Sequence, residues 1–137
     1  SGIDIKDLDF SNETVNDTQK KIVAVATNSA KYGISARSGY CQAWVADVYQ
    51  AVTGSRGSAH CALCAADMWA VSSDWSKIPV GAAIYGYSSS KYGHVGIYIG
   101  NGMVAHNIGY IKIEPIEDWI KTYKGFAWGW ENGYIKE

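Results

Sequence analysis

The spacing of apolar residues along the chain changes at Pro79. Before that point, apolar positions recur every three or four residues, as they do on one face of a helix. Helices of this kind are predicted over 14–33, 41–53 and 59–71. Beyond Pro79, short β-branched and aromatic runs separated by glycine are typical of strands. These strands are predicted over 82–87, 92–99, 103–107, 110–114, 126–130 and 134–136.

Two smaller elements complete the pattern. Residues 1–10 are interpreted as a strand or arm that leads into the domain, and Pro115 begins a short helix over 115–123, since proline suits the first helical turn. Helices followed by antiparallel strands define the α+β class, with one sheet packed on the helical half. No repeat, linker or low-complexity tract divides the sequence. We therefore expect residues 1–137 to form a single domain.

Charge and composition exclude several functions. The 12 basic and 13 acidic residues of the 137-residue chain leave a formal net charge of −1. Because Lys and Arg form no basic run, neither nucleic acid nor an anionic membrane surface is an expected partner. No stretch is long and apolar enough to cross a bilayer. We expect a monomer. The possibilities that a leader was removed ahead of Ser1, or that the chain comes from a larger parent protein, stay open.

Cys41 is the first candidate for chemistry, because it begins the predicted helix 41–53. At a helix start, the macrodipole and the free backbone N–H groups favour the thiolate, which is the nucleophilic form of cysteine. A histidine far away in sequence can serve as the base for such a thiol. We expect Cys41 to be a nucleophile and its backbone N–H to be an oxyanion donor.

His94 is the candidate base. Alternation along its predicted strand places His94 and Gly96 on one face, and the apolar Val95 and Ile97 on the other, which would face the core. Gly96 removes a side chain where another element can approach closely. We expect the sulfur of Cys41 and the imidazole of His94 to meet as an ion pair in an accessible groove.

Two residues of the next strand are candidates to orient His94. After the hairpin at 100–102, a two-residue turn would bring Asn107 to the face of His94, whereas a three-residue loop or a glycine bulge would bring His106 there. The Asn-Gly pair within the hairpin suits either geometry. The pattern of residues alone therefore leaves both alternatives open.

Three segments together resemble the NlpC-type bacterial cell-wall cysteine peptidases. They are the helix that Cys41 begins, the sequence Gly-His-Val-Gly-Ile-Tyr-Ile-Gly-Asn-Gly at 93–102, and Val-Ala-His at 104–106. Those peptidases have a trimmed papain-like fold and often carry a second histidine twelve positions after the first. His106 lies twelve positions after His94, so the resemblance favours it over Asn107.

The resemblance implies acyl transfer without a metal or cofactor. His94 would take the proton of Cys41, the thiolate would attack an amide, and His106 would fix the tautomer of His94. The implied substrates are peptidoglycan stem peptides or their cross-links, and the implied location is secreted or associated with the cell wall. Which bond is cut and whether the context is host, phage or toxin stay open. The sequence Tyr40-Cys41-Gln42-Ala43 replaces the family's Asp-Cys-Ser-Gly, a departure that bears on specificity.

Three other functions remain. A related cysteine- and histidine-dependent amidase group is the nearest competitor, and transfer of the acyl group to an acceptor other than water would use the same residues. The third is a non-catalytic wall-binding module that kept the fold.

The remaining cysteines and the aromatic residues have simpler interpretations. Cys61 and Cys64 are expected to be structural or to form a local disulfide, because no second ligand pair supports a zinc site. Tyr32 and Tyr40 are candidate substrate-binding residues because they lie near Cys41 in sequence. Other aromatic residues are divided between a predicted core (Trp44, Trp69, Trp119) and a predicted cleft (Tyr85, Trp130).

Overall fold

The computed structural model describes Lys6, Leu8 and residues 14–134. Four α-helices occur in this part of the chain, accompanied by short 3-10 turns. The helices are α1 (Asp17–Thr27), α2 (Cys41–Thr53), α3 (Ala62–Trp69) and α4 (Ile116–Tyr123). Apart from Lys6 and Leu8, the predicted arm at 1–10 lies outside the described residues, as does most of the predicted strand at 134–136.

The strands form one antiparallel sheet. They are β1 (Ala70–Ser72), β2 (Ala83–Gly86), β3 (His94–Gly100), β4 (Met103–Asn107), β5 (Ile111–Pro115) and β6 (Ala127–Gly129). Their order across the sheet is β1-β6-β2-β3-β4-β5. Helices α1, α2 and α3 precede all strands of this sheet in sequence and share one hydrophobic core with it. The predicted α+β arrangement is thus confirmed.

Local chemistry explains where the predicted bounds shift. The first helix begins at Asp17 because Asn16 and Gln19 form a reciprocal capping box, and it ends near Asn28, where a 3-10 turn replaces the predicted continuation. Strand β1 replaces the predicted end of the third helix. Pro115 ends β5 and caps α4 rather than forming its first turn.

The core covers both faces of β3. Val95 and Ile97 are fully buried, as predicted for the face towards the core, and Tyr98 on the opposite face is fully buried as well. Because helices flank the sheet, alternate residues of a central strand can both be buried. Trp44 and Trp119 are buried in the core as predicted, whereas Trp69 is only partly buried.

Within the part of the chain that the structure describes, no helix is long and apolar enough to cross a bilayer.

Candidate active site

Cys41 and His94 line the same cavity, although they are 53 positions apart in sequence. The cavity has a volume of about 1010 Å³ and is open to solvent. One wall comes from the start of α2 and from residues 56–62, which lead into α3. The other wall includes Ser88, Ser90 and Tyr92, ahead of β3. The thiol is half-buried and is not sealed within the core.

The start of α2 places the sulfur of Cys41 among backbone donors. Burial raises the pKa of the thiol, and hydrogen bonds from the backbone of Val95, Gln42 and Cys41 itself act in the opposite direction. The contact with Val95 shows that the sulfur lies beside the residue that follows His94. No side chain caps this helix start, so no side chain competes with the sulfur for its first N–H groups.

His94 meets His106 across the two central strands. Their contact joins His94 Nε2 to His106 Nδ1 at 2.8 Å, and both imidazoles are buried. A bulge at Gly100 shifts the register of the hairpin, which is the geometry that brings His106 rather than Asn107 to the face of His94. A methyl group on Gly96 would lie 3.2 Å from His106 Cβ, so only glycine leaves β4 room at this distance.

Glu114 extends this line of side chains by one more residue. Its Oε2 lies 2.5 Å from His106 Nε2, and Lys112 Nζ lies 3.6 Å from its other oxygen. In the register of β4 and β5, Val104 lies opposite Glu114 and His106 opposite Lys112, so the carboxylate shares a face with His106. Glu114 was not predicted from the sequence, although its place in the alternation of the predicted strand 110–114 could have indicated the face on which it lies.

Burial favours the neutral forms of both Cys41 and His94. The pKa of His94 falls to about 3, because burial and the neighbouring His106 disfavour its protonation. Burial also raises the pKa of Cys41. Burial therefore opposes the expected ion pair, because desolvation penalises charge on the thiol and on the imidazole alike.

Helix α4 covers the imidazole of His94. The ring of Tyr123 stacks on it with centroids 4.1 Å apart, and Trp119 lies 6.0 Å away. A methyl group on Gly86 would lie 2.5 Å from the carbonyl oxygen of Tyr123, so this glycine allows the end of α4 to reach the sheet. Tyr123 also lines the cavity. The imidazole of His94 is thereby covered by α4 on one side and borders the cavity on the other.

The aromatic residues expected around the cavity divide into two groups. Tyr40 lines the cavity, half-exposed, with the guanidinium of Arg37 4.2 Å from its ring centroid. Tyr32 is also half-exposed, but it belongs to the 3-10 turn that ends at Gly33 and does not line the cavity. Tyr85 and Trp130 are buried in the core, so the prediction that they line a cleft is wrong.

Asn107 holds the segment that precedes Cys41. Its side-chain amide donates to the carbonyl oxygens of Arg37 at 2.8 Å and Tyr40 at 3.3 Å, and its Oδ1 accepts from Gly109 N–H. The two neighbours on β4 therefore have different partners: His106 contacts His94, and Asn107 contacts the backbone ahead of Cys41.

A buried carboxyl group lies behind the start of α2. Glu131 is fully buried and accepts a hydrogen bond of 2.8 Å from Gln42 Nε2. Burial raises the pKa of Glu131, since the charged form loses its hydration. Sequence analysis did not single out either residue. The contact fixes the side chain of Gln42, which follows Cys41 and also lines the cavity.

Cys61 and Cys64 form a disulfide at the start of α3, which is the local pairing expected of them. Cys61 lines the cavity and Cys41 is the free thiol. Among Lys6, Leu8 and residues 14–134, no group of three or more His, Cys, Asp or Glu side chains is arranged to hold a metal ion.

Comparison with solved structures identifies the fold. An NlpC/P60 family protein from Bacillus cereus ATCC 10987 matches with a TM-score of 0.52 and 18% sequence identity. The match covers 75% of this chain but only 38% of that protein, so the chain spans well under half of its length. No family model and no curated protein matches the sequence. The likeness confirms the predicted papain-like α+β fold and supports the NlpC resemblance at the level of fold.

Proposed function

We propose that this chain is a cysteine hydrolase that cleaves an amide bond in the stem peptides or cross-links of bacterial peptidoglycan. The observation that carries the proposal is the shared cavity of Cys41 and His94. Because His94 Nε2 is engaged by His106, its Nδ1 is the nitrogen left to accept the thiol proton. The fold shared with an NlpC/P60 family protein supports the same class of chemistry.

The proposed reaction begins from the neutral pair. As the sulfur of Cys41 bonds to the amide carbon, its proton moves to His94 Nδ1 and the carbonyl electrons move to oxygen, near the free N–H groups of α2. Collapse of this intermediate breaks the C–N bond, and His94 gives its proton to the leaving amine. Water then adds to the thioester with His94 as base, and loss of the sulfur releases the acid and regenerates the thiol.

The proposed substrate fits the lining of the cavity. Its charged lining residue is Arg56, and the described lining residues include no Asp or Glu. Stem peptides carry carboxylates, so this wall does not repel them. We propose that the protein acts as a monomer, secreted or associated with the wall.

The test is digestion of purified peptidoglycan and of defined muropeptides, with fragments identified by mass spectrometry. The native chain is expected to release fragments with a new amine and a new acid at one amide bond, and Cys41→Ser is expected to release none. The double variant Cys61→Ser/Cys64→Ser is the matched control for loss of sulfur, and we expect it to retain activity.

The products separate the alternatives. Fragments joined to an added amine would indicate transfer rather than hydrolysis, and free glycan chains would indicate a muramoyl amidase. Equal digestion by the native chain and Cys41→Ser would refute the proposal. Wall binding without any cleavage would leave the non-catalytic module.

A further inference from the structure

We infer that Glu114 is a positioning residue for catalysis, which acts on the base His94 through the ring of His106. The inference rests on the proposed thiol chemistry and adds a fourth residue to it. Three contacts carry it: Cys41 and His94 line one cavity, His94 meets His106 at 2.8 Å, and His106 meets Glu114 at 2.5 Å.

The first step concerns the proton on His106. A carboxylate can only accept, so His106 Nε2 must donate to Glu114. Burial lowers the pKa of His106, which favours its neutral form even though Glu114 opposes this effect. A neutral imidazole with its proton on Nε2 presents Nδ1 as an acceptor.

The second step transfers this constraint to the base. Because His106 Nδ1 is an acceptor, His94 Nε2 must donate to it, and the neutral ring of His94 then has no proton on Nδ1. Nδ1 is therefore free to receive the proton of Cys41. Without the carboxylate, both rings can adopt the opposite tautomer, in which His94 Nδ1 carries a proton and cannot act as a base.

The third step concerns charge. When His94 becomes protonated during attack, the positive charge develops in a buried site where hydration is weak. The carboxylate of Glu114 stabilises that charge through two hydrogen bonds, with Lys112 holding its other oxygen. The other titratable groups near this line are Cys41, Tyr123 and Tyr110. Compared with these groups, Glu114 is the one that carries a carboxylate.

The inference is tested without substrate. The rate of alkylation of Cys41 by iodoacetamide, measured from pH 5 to 10, reports how well His94 accepts the thiol proton. Glu114→Gln is expected to lower this rate about 10- to 100-fold near neutral pH and to displace the pH profile towards alkaline values. Glu117→Gln removes an exposed carboxylate from α4 and is expected to match the native chain.

A spectroscopic measurement on the native chain provides an independent check. Nitrogen-15 NMR of the imidazoles is expected to show both His94 and His106 neutral, each with its proton on Nε2. In Glu114→Gln we expect the opposite tautomer to be populated, whereas a purely structural role would lower thermal stability without changing tautomers.

The outcomes are separable. A native His94 with its proton on Nδ1, or a folded Glu114→Gln with native alkylation rate and pH profile, would overturn the inference. If His94→Gln slows alkylation and Glu114→Gln does not, the proposed pairing of Cys41 with His94 is supported and only the proposed role of Glu114 is refuted. Normal thiol kinetics with no wall cleavage would instead count against the proposed function alone.

Discussion

The two sides of the candidate site are built by different means. The thiol of Cys41 is held by backbone: it begins α2, its sulfur contacts N–H groups, and Asn107 fixes the carbonyl groups of the segment ahead of it. The imidazole of His94 is held by side chains, through His106 and Glu114 on two neighbouring strands. Backbone positions depend little on residue type, whereas a line of side chains depends on every member.

This difference predicts unequal tolerance to substitution. A change beside the thiol has several backbone contacts to compensate for it, while a change between the imidazoles interrupts the contact on which the base depends. Three substitutions or conditions test that comparison.

The largest effect is expected from Gly96→Ala, which acts on the imidazole side. The added methyl group would lie 2.9 Å from Val104 Cγ1 and 3.2 Å from His106 Cβ, so it must displace β4. We expect a loss of stability of about 1–3 kcal/mol from overpacking. Separation of the two imidazoles should also slow Cys41 alkylation about 100-fold. Urea unfolding and alkylation kinetics measure the two effects.

Val104→Ala is the matched control for Gly96→Ala. It perturbs the same buried contact without adding an atom between the two histidines, so it should lose stability but retain most of the alkylation rate. Equal kinetic losses in both variants would mean that stability alone, and not the spacing of the imidazoles, sets the reactivity.

A smaller effect is expected from Asn107→Ala, which acts on the thiol side. It removes the hydrogen bonds to the carbonyl groups of Arg37 and Tyr40 and leaves the contacts of the sulfur in place. We expect about a tenfold fall in the rate of wall cleavage and a loss of stability of about 1–2 kcal/mol.

Asn28→Ala, at an exposed position, is the control for the loss of an asparagine and should behave as the native chain. If wall cleavage by Asn107→Ala were as slow as wall cleavage by Gly96→Ala, that result would contradict the proposed difference between the two sides.

The third test concerns acid rather than a substitution. His94 has a pKa of about 3 in the folded chain against an ordinary value of 6.5, so below pH 6.5 the unfolded chain binds a proton that the folded chain does not. Stability therefore falls as the pH drops from about 6.5 towards 3, by up to about 1.4 kcal/mol per pH unit for this imidazole. Urea unfolding at pH 7.5, 6 and 5 measures the slope, which should be shallower in His94→Gln. An identical slope would argue against a buried neutral base.

Much of this arrangement was predictable from spacing. A strand that carries His94, a glycine-containing hairpin and a second histidine twelve positions later restricts the geometry to two registers, and the bulge at Gly100 selects one of them. The range of helix α2, 41–53, was predicted correctly. Its end was predictable because Gly54 follows it in the left-handed conformation, which glycine adopts readily.

Other features depended on tertiary packing. Glu114 ends an alternating run on the edge strand β5, where a charged side chain ordinarily faces solvent. Its burial follows only once β4 is placed beside it. Strand β1 was missed because its residues continue the helical repeat of α3, and its pairing with β6 is visible only in the fold. Tyr32 is near Cys41 in sequence, but the chain between them leads it away from the cavity.

One consequence follows from the order in which the residues of the site occur along the chain. His94, His106, Glu114 and Tyr123 lie within thirty consecutive residues of two hairpins and a short helix, whereas the thiol comes from a distant segment. Insertions between 54 and 92 would leave the chemistry intact if they remained on the surface, but a single residue gained or lost between the two histidines would invert the faces of β4. Relatives of this chain should therefore have a variable gap after the cysteine and a fixed gap of twelve between the histidines.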